Sequence, residues 1–162
     1  MNDKQWRQIG DILNFYQGVL GTPTLSVITT HPMLEFMHEE LKSNRRFTFI
    51  CGHDTNIVGI FGALRVENYS LPDTIETHTP IGVKFVIEKW RGLDGEEYAT
   101  LNLVYATPEQ IRKLEPLTLE NPPKTFPLHL EGLKTNEDGF YLYSDVEKRF
   151  VETIEKYNLY CD

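Results

Sequence analysis

Residues 47–64 read FTFICGHDTNIVGIFGAL, and no other stretch limits the fold as much. A mostly apolar run leads to a glycine, a histidine and an aspartate stand side by side, and a second apolar run follows. The short unbroken run at 47–51, rich in β-formers, is the pattern of a strand covered on both faces. The run at 57–64 continues as a helix, in which Gly59 and Gly62 either weaken it or let another element pack closely. The order strand, GHD, helix places two titratable side chains at the turn between two buried elements. In an α/β sheet that turn lies at the carboxyl end of the strand, where the next helix points free backbone N–H groups into a crevice.

The rest of the chain interleaves helices and strands. Trp6, Ile9, Ile12, Leu13, Tyr16 and Val19 or Leu20 recur at intervals of three and four, which predicts a helix over 3–20 with one apolar face. Asn2 with Gln5 caps its start and Gly21 ends it. GTPTLSVITTHP reads as a loop with at most a short extended piece, and Pro32 opens a second helix through Met33, Leu34, Met37 and Leu41. After a Thr- and Pro-rich loop, VKFVIEKW and EYATLNLVYA flank GLDGE, predicting an antiparallel hairpin at about 83–90 and 97–105. Thr107-Pro108-Glu109-Gln110 is a capping box opening a short helix, ENPPKTFP reads as a connector, and 128–130 as a short strand. Ser144-Asp145-Val146-Glu147 is a second capping box, before a helix with Val146, Phe150, Ile154 and Tyr157 on one face. The predicted class is α/β, a mixed sheet with flanking helices; so few strands leave edges to hide, and part of the sheet is expected to be missing.

A length of 162 residues predicts one domain over 1–162, and 40% hydrophobic with 25% charged residues predicts a folded, soluble chain rather than a disordered one. The net charge of −8 and the scattered Lys and Arg leave no basic stripe, so nucleic acid is not an expected partner. No apolar run approaches the ~20 residues of a membrane helix, and the start MNDKQWRQIG lacks the pattern of a secretory signal. Cys51 and Cys161 are read as free thiols.

At the turn, an anion would meet backbone donors and the His53 imidazole, while the Asp54 carboxyl could hand a proton to whatever leaves the anion. That suits phosphoryl chemistry, with Thr55 a weaker neighbour at the helix start. The plainer reading makes Asp54 or Thr55 a helix N-cap and His53 a loop residue. His31 reads as a helix-entry residue, His38 and His78 as exposed side chains, and His129 as a surface imidazole alternating out of a strand.

Cys51-Gly52-His53-Asp54-Thr55-Asn56, with Gly62-Ala63-Leu64 behind it, resembles the C-terminal His-Asp motif of the histidine acid phosphatases, especially the bacterial glucose-1-phosphatase and phytase branch. Pro80-Ile81-Gly82 followed by Val86 to Arg91, and the tract from Tyr105 to Leu119, are similar to the segments that follow the motif in that branch. The resemblance implies a phosphoglycerate mutase-like, histidine phosphatase α/β domain and hydrolysis of phosphate monoesters through a phosphohistidine. His53 would contact the phosphoryl oxygens and Asp54 would act as general acid and base, with no metal or other cofactor. It also implies a periplasmic or secreted setting. One feature departs from the family: its nucleophile lies in an Arg-His-Gly-x-Arg-x-Pro motif, and the five histidines here occur as THP, MHE, GHD, THT and LHL. The chain is therefore expected to match only the C-terminal part of the domain, the N-terminal half being absent, to be inactive or weakly active alone, and to self-associate or take a complementing N-terminal segment. Two other readings remain open: a non-catalytic scaffold binding a phosphorylated ligand or a protein, and an HD-type metal-dependent phosphohydrolase, against which the strand before His53 counts.

Overall fold

The computed structural model describes residues 2–161. Helices α1 (Asp3–Leu20), α2 (Pro23–Lys42) and α3 (Asp54–Leu64) come first, then strands β1 (Lys84–Arg91) and β2 (Glu97–Tyr105). Helix α4 (Pro108–Lys113), strands β3 (Lys124–Pro127) and β4 (Tyr141–Leu142), and helix α5 (Tyr143–Cys161) complete the order. The expected α/β architecture is present, with β1 antiparallel to β2 along its whole length and β3 and β4 antiparallel to β2 at its two ends. Ala99, Leu101, Leu103 and Tyr105 alternate inward from β2, and with Ile60, Phe61 and Leu64 of α3 and Val146 and Phe150 of α5 they make one contiguous core.

Local chemistry sets several boundaries where the sequence puts them. Asn2 Oδ1 accepts from the Gln5 N–H and Gln5 Oε1 accepts from the Asn2 N–H, closing the capping box of α1. Thr107 and Gln110 do the same for α4. The GLDGE turn folds with Gly95 at φ +87°, a left-handed conformation that glycine adopts at little cost.

Four expectations are corrected. Residues 23–32 are helix, not loop: Pro23 occupies the first turn, and the Thr29 and Thr30 hydroxyls donate back to the Leu25 and Ser26 carbonyls instead of breaking the turn. Pro32 lies inside α2, tolerated because Val27, Leu34 and Met37 bury that helix against the core. The connector ENPPKTFP holds β3, whose Thr125 and Phe126 face Val104 and Leu103. Residues 47–51 are not a strand: they are unpaired, with Phe47 81% and Phe49 68% exposed, because no described strand lies beside them.

Helix α3 is the element that matters for the site, and it is held by α2 along its length and by α5 at its C-terminal end. Gly59 and Gly62 let it close on α2: a methyl group at either would collide with Thr30, or with the Gly21 carbonyl and the Ser26 hydroxyl. At its C-terminal end the buried Arg149 of α5 donates to the Leu64 carbonyl at 2.6 Å and to the Glu131 carbonyl at 2.7 Å. Thr153 donates to the Ala63 carbonyl at 3.2 Å, so α5 satisfies two carbonyls that the helix end leaves open.

Candidate functional site

His53 is the N-cap of α3, with extended backbone at φ −112° and ψ 169°, and Asp54, Thr55 and Asn56 form the first turn. The plainer N-cap reading of Asp54 or Thr55 is thus displaced by one or two residues, to His53. Asn56 Oδ1 accepts the His53 N–H at 2.8 Å, which locks the bend between the extended segment and the helix. Gly52 leaves room for that bond, since a Cβ there would lie 2.9 Å from the same oxygen. The backbone N–H groups of Asp54 and Thr55 find no acceptor among the described residues. His53 is exposed, and Asp54 and Thr55 are half-buried. The helix start thus offers two free donors, an accessible imidazole and a carboxyl group side by side, with the positive end of the helix macrodipole behind them.

The carboxyl group of Asp54 has a partner that sequence reasoning missed. Gln17 of α1, 2% exposed, donates from Nε2 to Asp54 Oδ2 at 2.9 Å. Its carbonyl oxygen Oε1 is buried without a partner among the described residues. One turn earlier on the same helix, Asn14 donates to Thr77 Oγ1 at 3.3 Å, and its Oδ1 lies 3.4 Å from His78 Nδ1. Helix α1 therefore turns a polar edge of Asn14 and Gln17, with Gly10 and Leu13, toward α3 and the 71–79 loop. The face carrying Trp6, Ile9, Ile12, Tyr16 and Val19, which the spacing predicts to be buried, is exposed. Only the mismatch of a glutamine beside an apolar stripe hinted at this inversion.

The other histidines lie apart from this arrangement. His78, expected to be exposed, is half-buried against Tyr69 with ring centroids 5.4 Å apart, and burial lowers its pKa from the ordinary 6.5. His38 is not solvated: its ring lies over Phe150, and Nε2 stands 3.7 Å from Glu147. His31 is inside α2 and stacks on Tyr157 at 3.9 Å. His129 is exposed between buried Leu128 and Leu130, in the alternation expected of it. Two surface cavities lie elsewhere, about 910 Å³ around α4 and about 370 Å³ beside Ile81 and Tyr105. His53 and Asp54 line neither. No three His, Cys, Asp or Glu side chains form a metal-holding group among the described residues.

No family profile matches the chain. Individual relatives do. The chain is 29% identical over 160 residues to a glucose-1-phosphatase of Providencia rettgeri, covering 94% of this chain and 38% of that protein. A glucose-1-phosphatase of Salmonella typhimurium is 32% identical over 144 residues, with 85% and 35% covered. The solved phytase of Citrobacter braakii superposes with a TM-score of 0.83 at 28% identity, over 94% of this chain and 42% of that one. The chain resembles the histidine acid phosphatases. It spans between a third and two fifths of the length of the curated phosphatases it matches. The apo phytase of Hafnia alvei, with a TM-score of 0.82 at 26% identity, agrees on the histidine acid phosphatase-like α/β fold. No described helix is long and apolar enough to cross a membrane.

Proposed function

We propose that residues 1–162 are the C-terminal portion of a histidine acid phosphatase-like α/β domain. In its complete form that domain hydrolyses phosphate monoesters of the sugar-phosphate or inositol-phosphate class. The observation that carries this reading is the start of α3, where an exposed His53 and two free N–H groups adjoin a carboxyl group already oriented by a hydrogen bond. A phosphoryl group docked there would be met by the His53 ring and the Asp54 and Thr55 N–H groups.

In the first step a histidine nitrogen attacks phosphorus, the P–O bond to the alcohol breaks, and Asp54 gives its proton to the departing oxygen. In the second step water attacks phosphorus, the P–N bond breaks, and the Asp54 carboxylate takes a proton from that water. His53 binds oxygens in both steps and forms no covalent bond. None of the five histidines stands in an Arg-His-Gly sequence, so the nucleophile would come from a complementing N-terminal segment. Metal and other cofactors have no part in the reaction, and the family resemblance favours a periplasmic or secreted setting.

The test is hydrolysis of an aryl phosphate at about pH 5, with and without EDTA, by the chain alone and with a separately expressed N-terminal portion of a phytase relative. Little or no turnover alone, with EDTA-resistant turnover on complementation that Asp54→Ala abolishes, is the expected result. EDTA-sensitive turnover would point to the metal-dependent class, and phosphate binding with no turnover under any arrangement to a scaffold; either would overturn the proposal.

A further inference from the structure

Gln17 is a buried polar side chain on α1, one turn beyond Asn14, which hydrogen-bonds the Thr77 side chain. Its only hydrogen bond among the described residues is to Asp54 Oδ2, and its Oε1 is left without a partner. Burying an amide with its carbonyl unpaired is unfavourable, and a nonpolar residue of the same shape would avoid that cost. The residue thus satisfies Asp54 at the expense of its own carbonyl.

We propose that Gln17 is a positioning residue for Asp54, deciding which carboxyl oxygen exchanges a proton; the inference rests on the phosphatase reading of the α3 start. Nε2 can only donate, so Oδ2 must present a lone pair to it whether Asp54 is ionised or neutral. In the neutral acid the carbonyl oxygen accepts better than the hydroxyl oxygen, so the bond from Nε2 favours Oδ2 as the carbonyl and the proton on Oδ1, the oxygen with no partner among the described residues. Turning the amide over would set Oε1 against a carboxylate oxygen, and the ionised acid would repel it. Oδ2 is the anchored oxygen, and Oδ1 gives and receives the proton. The same bond holds the Asp54 side chain in one rotamer, so the general acid does not have to be ordered at the moment of reaction.

The test uses the 162-residue chain labelled with ¹³C and ¹⁵N. Three-bond couplings across χ1 of Asp54 are expected to report a single rotamer in the wild type and averaged rotamers in Gln17→Leu. A role of Gln17 in packing alone would lower thermal stability and leave those couplings unchanged, which would overturn the proposal. Asp54→Ala provides the converse reading, independent of whether Gln17→Leu folds. One side-chain N–H proton of Gln17 should move upfield when its carboxylate acceptor is removed, and an unmoved signal would equally refute the assignment. Inorganic phosphate titrated into the wild type, followed at the His53 ring protons, tests the underlying site separately. Absence of any phosphate response would reject the phosphatase reading while the coupling and amide results stand by themselves.

Discussion

At the scale of single residues, the histidine that titrates against the fold is His78. Its ring is half-buried on Tyr69, with Nδ1 3.1 Å from Thr77 Oγ1, and burial disfavours the charged form, lowering its pKa from 6.5. As the pH falls through 6.5 the unfolded chain takes up this proton before the folded one does. The stability linked to His78 is therefore fully present above 6.5 and is lost between 6.5 and the lowered folded value, below which the loss levels off. His78→Gln keeps a donor and an acceptor without titrating. The urea midpoint of the wild type should fall more steeply than that of this variant between about pH 7 and about pH 5. Parallel profiles would show that the ring is solvated in the folded protein.

At the scale of elements, two glycines separate local propensity from packing. In α1, a Cβ on Gly18 would meet nothing within 4 Å, so Gly18→Ala should stabilise the protein by about 0.5–1 kcal/mol through helix propensity alone. In α3, Gly62→Ala gains the same propensity but drives a methyl group into the Gly21 carbonyl and the Ser26 hydroxyl. Overpacking against a helix junction costs about 1–3 kcal/mol, which outweighs the gain, so this variant should be destabilised. Urea denaturation of both variants checks the pair, and equal shifts would mean that α2 and α3 do not close as described. Such close packing is half legible beforehand: two glycines in an apolar helix announce it, but not the partner. The capping boxes of α1 and α4 and the GLDGE hairpin were fully legible, because each is set by residues within four or five positions of one another; the box expected at Ser144–Glu147 is not formed, since α5 already begins at Tyr143 and carries Ser144 inside its first turn. The α1 face, the burial of Gln17 and the continuation of α2 through Pro32 were not legible. In each of those cases contacts with elements far along the chain override the local pattern.

At the scale of the whole molecule, the same long-range logic explains the strand that did not form. Residues 47–51 have the composition of a doubly covered strand, yet they lie unpaired with their aromatic rings in water, and α1 turns Trp6, Ile9, Ile12 and Phe15 outward as well. Side chains such as Ile12, 71% exposed, and Phe15, 75% exposed, contribute about 1.5–3 kcal/mol each when fully buried, and the free backbone edge at 47–51 can pair with another strand. Covering both features together would stabilise the chain. The isolated chain should therefore form dimers or larger species as its concentration rises, seen by size exclusion with light scattering. Ile12→Lys and Phe49→Lys act on the two surfaces separately, and each should shift the population toward monomer. A chain that stays monomeric across the micromolar range, with both variants indistinguishable from it, would mean that neither surface is an interface.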